Sequence, residues 1–96
     1  MPTYKFSKRS EADLETIVQY TLDNWGAEQV TRYIDGLEQR VQSLADAPSL
    51  GKVYDDLSTG LRGFVYQSHM IYYVEAEHGI TVVRVLHQRM NPPRHL

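Results

Sequence analysis

Apolar side chains recur with a helical period along the first half of the chain and with a strand period along the second. Tyr4-Lys5-Phe6 alternates briefly, and Ser7 then offers a side-chain oxygen to a segment rich in helix formers. A short strand leading into a capped helix is expected there. Leu14, Ile17, Val18, Thr21, Leu22 and Trp25 fall at i, i+3, i+4, i+7, i+8 and i+11, one stripe of an amphipathic helix. Glu15, Thr16, Gln19 and Asp23 make its solvated side. Gly26, just past Asn24-Trp25, marks a helix stop in which glycine takes the left-handed conformation. Val30, Ile34, Leu37, Val41 and Leu44 then step by four, three, four and three, as in a helix lying along a neighbouring helix. Joined by so short a turn, the two helices are expected to form an antiparallel hairpin.

Pro48 closes the second helix, and Ser49, Gly51, Asp55, Asp56 and Ser58 give residues 48–60 the composition of a surface loop. Beyond it the period changes. Leu61–Tyr66, Met70–Glu75 and Ile80–Leu86 are rich in Val, Ile, Tyr and Phe, with breaks at Gln67-Ser68-His69 and Glu77-His78-Gly79. Breaks this short join neighbouring antiparallel strands. The expectation is an α+β fold, a helical hairpin packed on a small antiparallel sheet in the order β-α-α-β-β-β, with the hairpin covering one sheet face and the first strand added at an edge. No internal repeat, low-complexity tract or linker interrupts it, so residues 1–96 read as one domain.

Composition narrows the function classes. A chain of 96 residues, 42% hydrophobic, buries about two-thirds of its unfolded surface and has little room for a deep enclosed site. Function is expected at the surface or through a partner. The absence of cysteine excludes disulfides and thiolate metal sites and suits a reducing compartment. No apolar run approaches the roughly 20 residues of a membrane span, and Met1 to Lys8 lacks a secretion-signal stretch; a cytoplasmic location is expected. The net charge of -2 hides an asymmetry. From Met1 to Asp56 ten acidic residues oppose six Lys or Arg, whereas from Leu57 onward only Glu75 and Glu77 oppose Arg62, Arg84, Arg89 and Arg94. A basic carboxyl half raises the question of an anionic partner.

Candidate chemistry is sparse. His69, His78, His87 and His95 lie nine, nine and eight residues apart, without the i, i+4 relation of a helical metal site, so no metal is expected. There is no cysteine, no G-x-S-x-G elbow and no glycine-rich phosphate loop. Glu75 with Glu77, and Asp55 with Asp56, sit near turns where solvated acids are the default. In the last strand strict alternation places Ile80, Val82, Arg84 and Leu86 on one face and Thr81, Val83, Val85 and His87 on the other. Among apolar neighbours, Arg84 is either paired across the strands, with Glu75 as a partner, or turned to a phosphate or protein. His87 ends the strand as a proton donor or acceptor or as a plain hydrogen-bonding group. Pro92-Pro93 is expected to hold the basic tail extended.

The order of elements and the ending Arg84-Val85-Leu86-His87-Gln88-Arg89-Met90-Asn91, closing on Arg94-His95-Leu96, resemble the ParE toxins of the RelE/ParE superfamily. The resemblance spans nearly the whole chain. It includes Ala12-Asp13-Leu14, Trp25-Gly26, Pro48 with Gly51, Gly60-Leu61-Arg62, and Ser68-His69 before Ile71-Tyr72-Tyr73. Asn91 stands where many relatives have aspartate, removing a charge that would neutralise Arg89 or Arg94. The resemblance implies the toxin of a bacterial type II toxin-antitoxin pair, neutralised by a ParD-like antitoxin and acting on DNA gyrase without being a hydrolase. It implies no cofactor, no membrane and no sequence-specific nucleic-acid contact, with Arg62, Arg84, His87, Gln88, Arg89, Met90 and Arg94 as partner-binding candidates. The alternative is the RelE branch, which cuts messenger RNA on the ribosome and would draw on Arg62, Arg84 and His87. That branch often has a lysine-rich surface and a tyrosine near its end, whereas this chain has three lysines and no aromatic residue after Tyr73.

Overall fold

In the computed structural model, which describes residues 1–90, 94 and 96, the expected order of elements holds with one short strand added. β1 (Thr3–Phe6) leads into α1 (Lys8–Trp25) through Ser7, an extended residue whose hydroxyl accepts the Ser10 N–H at 3.1 Å. That is the side-chain cap the sequence announces. Gly26 alone joins α1 to α2 (Ala27–Asp46), its N–H donating to the Leu22 carbonyl and its carbonyl accepting the Val30 N–H. Its φ of 88° lies in the half of backbone space that favours glycine, although with ψ at 172° it is not the left-handed helical conformation expected of a helix stop. A short 3-10 turn (Pro48–Leu50) follows, then β2 (Lys52–Val53), β3 (Arg62–Tyr66), β4 (His69–Ala76) and β5 (Gly79–His87).

The five strands lie in the order β1-β5-β4-β3-β2. β3, β4 and β5 form the expected antiparallel meander. β1 adds to the β5 edge, but in parallel, with Tyr4 opposite Ile80 and Phe6 opposite Val82, so the sheet is mixed. Parallel neighbours need a long connection, and everything between β1 and β5 supplies it. Gly79 lets the two strands meet, because at its φ of 140° a side chain would be strained and a Cβ would run into the Thr3 backbone. β2 lies inside the segment expected to be loop, pairing Lys52 with Gly63 and Val53 with Arg62. Two residues are too few to show a strand period.

α2 supplies Leu37, Val41 and Leu44 to a core with Ile71, Tyr73, Ile80, Val82 and Val85 on the helix-facing side of the sheet. The opposite face is also apolar: Leu61, Tyr72 and Leu86 are buried there under Tyr54, Leu57, Met90 and Leu96. A loop and the chain end thus cover a second face for which the sequence predicted no cover. The strict alternation expected in β5 fails at a bulge, where Tyr72 pairs with Arg84 but Tyr73 pairs with Val82. The extra residue, Val83, resets the phase, so Val85 joins Ile80 and Val82 on the helix side and Leu86 turns to the far side. The α1 stripe also departs from expectation at its end, where Leu22 and Trp25 are exposed instead of joining the core.

Fully buried Tyr73 ties the turn after α2 to the sheet. Its hydroxyl donates to the Pro48 carbonyl at 2.6 Å and accepts the Gly51 N–H at 2.9 Å. Tyr73→Phe keeps the ring but strands that buried N–H, and we expect a loss of about 2 kcal/mol in urea unfolding. An unchanged midpoint would show that the hydroxyl contributes nothing.

Candidate functional site

β1 stops at Phe6 while β5 continues to His87, so the outer edge of β5 loses its neighbouring strand after Val82. The start of α1 takes that place. Ser7, Ser10 and Asp13 repeat every three residues and so share one helix face. The Ser10 hydroxyl donates to the Val82 carbonyl and the Ser7 hydroxyl to the Val83 carbonyl, each at 3.0 Å. Asp13 accepts the Val85 N–H at 3.0 Å and both Nε and Nη2 of Arg84, at 2.8 and 2.9 Å. The partner of Arg84 is therefore Asp13, 71 positions away, and not Glu75, which is exposed on β4 opposite Ile80. With side chains only 11% and 14% exposed, this bidentate pair is shielded from the water and salt that weaken surface bridges. The hydrogen bond to Asp13 also raises the guanidinium pKa further.

Between α1 and the far ends of β4 and β5 a groove opens with a volume of about 910 Å³. Ile17, Thr21 and Trp25 step up one wall at helical spacing beside Tyr20; Val85, Leu86 and Met90 line the other. Trp25 is 70% exposed and Tyr20 63%, large apolar surface left to solvent at the rim. Among the described residues Asp13 is the one carboxylate in the lining, and it is already paired.

Within the groove lining the β4–β5 register sets His69 directly opposite His87, with ring centroids 5.6 Å apart. A hydrogen bond of 3.1 Å joins His69 Nδ1 to the Tyr33 hydroxyl, and Tyr33 is held in turn by the Tyr66 hydroxyl, which donates to its carbonyl at 2.9 Å. His87 Nδ1 accepts the Arg89 N–H at 3.1 Å. Burial pushes the Tyr33 phenol far above its ordinary range, so it stays protonated. Burial first, and the charge of His87 second, hold His69 below the ordinary imidazole value of 6.5. Along the sequence His69 falls at a break between strands, in the family-like pair Ser68-His69; that it faces His87 becomes visible once the hairpin register is known.

The residues singled out from sequence separate into two groups. His87 and Met90 line the groove, and Gln88 donates to the carbonyl of Gln67, itself a lining residue, at 3.0 Å. Arg89 and Arg94 are exposed nearby in sequence. Arg62 lies elsewhere, donating to the Gly51 carbonyl at 2.9 Å in the strand row of Tyr73, roughly 13 Å along the strands from the row of His69 and His87. Arg84 is bound to Asp13. The extended tail expected at Pro92-Pro93 lies outside the described residues, as do Asn91 and His95. Among the described residues no cluster of three or more His, Asp or Glu side chains could hold a metal ion, and no helix is long and apolar enough to cross a membrane.

Two outcomes follow from this geometry. Asp13→Ala removes the carboxylate from a pair whose side chains are only 11% and 14% exposed and is expected to cost about 3 kcal/mol; in a double-mutant cycle, adding Arg84→Ala should cost far less than its own single effect. Additive losses would show that the pair contributes no coupling. For His69, NMR titration should give a midpoint below 6.5 that moves up, without reaching the ordinary value, in His87→Ala. Because the folded pKa is the lower one, the stability that His69 contributes is present above the unfolded value near 6.5 and is lost as pH falls through that range. A midpoint at or above 6.5 would contradict the burial argument.

Comparison with known proteins agrees with the architecture. Residues 4–92 match the model of the ParE toxin of the type II toxin-antitoxin system parDE. Toxin ParE1 of Caulobacter vibrioides is 34% identical over 96 residues, covering 100% of this chain and 99% of that one. Toxin ParE1 of Mycobacterium tuberculosis is 38% identical over 94 residues, covering 97% and 96%. A solved structure of a chromosomal ParDE system from P. aeruginosa superposes with a TM-score of 0.74 over 91% of this chain and 96% of that one, at 17% identity, a likeness of fold. On this sequence match, carried along nearly its full length, the chain belongs to the ParE family, the toxins of parDE type II toxin-antitoxin systems.

Proposed function

We propose that this toxin acts in the cytoplasm by binding DNA gyrase, not by breaking a bond, and that a ParD-like antitoxin restrains it by laying the apolar face of a helix along the groove between α1 and β5. The observation that carries the reading is the groove itself, whose rim leaves Trp25 and Tyr20 mostly exposed. Apolar surface of that kind beside a helix suits an amphipathic helix with anchors spaced i, i+4. Cutting RNA would need a base for the 2'-hydroxyl, an acid for the leaving oxygen and cations on the phosphate in one place. Arg62 and Arg84 are each engaged by hydrogen bonds away from His87, which supports binding over catalysis. The acid-free stretch after Glu77, with Arg89 and Arg94 exposed, is the surface we assign to the target.

The gyrase assignment is tested by adding purified toxin to gyrase supercoiling reactions and scoring gyrase-dependent DNA breaks in cells. Intact supercoiling and no breaks would remove gyrase as the target, and messenger RNA cut within codons on ribosomes would replace it. The antitoxin assignment predicts that Trp25→Ala weakens antitoxin binding by about thirtyfold, as an exposed aromatic anchor should, while leaving the unfolding midpoint unchanged. Deleting 91–96 would remove Leu96 from the far sheet face as well as the basic tail. Arg89→Glu with Arg94→Glu is the cleaner variant, expected to reduce gyrase inhibition about tenfold and to spare antitoxin affinity. Equal loss of both would count against separate surfaces.

A further inference from the structure

The histidine pair in the groove lining is not explained by antitoxin docking alone. His69 and His87 face each other across β4 and β5 at 5.6 Å, and both line the groove. The groups around them offer a cation little support. From α1 comes Asp13, whose oxygens are taken by Arg84 and the Val85 N–H. From α2 comes Tyr33, a phenol kept protonated by burial; from β3, Tyr66, which lies under the influence of Arg40; and after β5, Arg89, itself a cation. The β3–β4 turn adds only Gln67 and Ser68. In the open groove water solvates an imidazolium, but an apolar segment lying over it would expel that water.

Resting on the reading of the groove as the antitoxin's seat, we propose that His69 and His87 make its occupancy depend on pH: the antitoxin segment is held while both rings are neutral, and the toxin is set free when the pair takes up a proton. Among the described residues no free carboxylate in the lining replaces the lost hydration, and a charge on one ring repels a charge on the other. The depression of His69 in the uncovered protein has the same sign, and covering the ring deepens it. Since the occupied state binds fewer protons, affinity is greatest above the ordinary imidazole range and falls as pH drops through it. One excluded proton weakens binding by about tenfold between pH 7.5 and pH 5.0.

The test measures the affinity of the ParD-type antitoxin encoded with this toxin at pH 7.5 and pH 5.0, using full-length proteins whose folding at both values is checked by circular dichroism. The wild-type toxin should lose about tenfold, and the His69→Gln/His87→Gln variant should lose less than twofold. His87→Gln alone, at an exposed position, serves if the double variant does not fold, and should lose less than the wild type does. Equal affinity at both pH values in the wild type overturns the proposal, as does a tenfold loss retained in the variants. Trp25→Ala, measured at pH 7.5, separates the two levels. If it leaves affinity unchanged, the antitoxin does not sit in the groove and both readings fall; if it weakens binding while the wild type is insensitive to pH, only the histidine proposal falls.

Discussion

The structure depends on how the unpaired edge of β5 is closed. An open strand edge is a template for another strand, and proteins end it with charge, with a bulge or by covering it. Here β1 pairs only as far as Val82, and the first turns of α1 complete the job with two hydroxyls and a carboxylate. The Val83 carbonyl and the Val85 N–H find their side-chain partners here, while the Val82 carbonyl accepts the Ser7 N–H as well as the Ser10 hydroxyl. Together they fix the position of α1 along the sheet, and α1 fixes α2 through the single-glycine turn at Gly26.

This arrangement decides what surface is left for function. Because α1 is anchored by its N-terminal end on the β5 edge, its C-terminal end stands away from the sheet and the groove opens beneath Trp25. The bulge at Val83 has a matching effect, since it turns Val85 inward and Leu86 to the far face while the strand continues to His87. Arg84, which as a free cation in this position would be a natural phosphate contact, is spent on structure. The accessible apolar surface of the groove adjoins the exposed Arg89, whose N–H is accepted by His87 of the groove lining.

What could be read along the sequence was whatever is local. The Ser7 cap, the heptad of α2 and the three long strands each show within a few residues, and each stands where expected. The parallel pairing of β1, the pairing of Asp13 with Arg84 and the facing of His69 with His87 join residues far apart, and no period records them. β2 is too short to leave a pattern, and the bulge defeats alternation by adding a single residue. At the site, His87, Gln88 and Met90 were visible through the family-like ending; the structure places His87 and Met90 in the groove lining and bonds Gln88 to Gln67 beside them. Arg62 carries the same kind of side chain in an equally family-like segment, yet the strand register sets it in a distant row. Residue type suggested both, and only the pairing of strands told them apart.

The pairing of β1 with β5 also gives the toxin a schedule. The first strand leaves the ribosome with an edge that can be completed only by residues made 76 positions later, and contacts of such long range form slowly and late. Until β5 exists, α1 has no edge to anchor to and the groove has no second wall. A nascent or truncated chain can therefore carry both helices and still lack the groove between α1 and β5, which takes shape only when the last strand has been made.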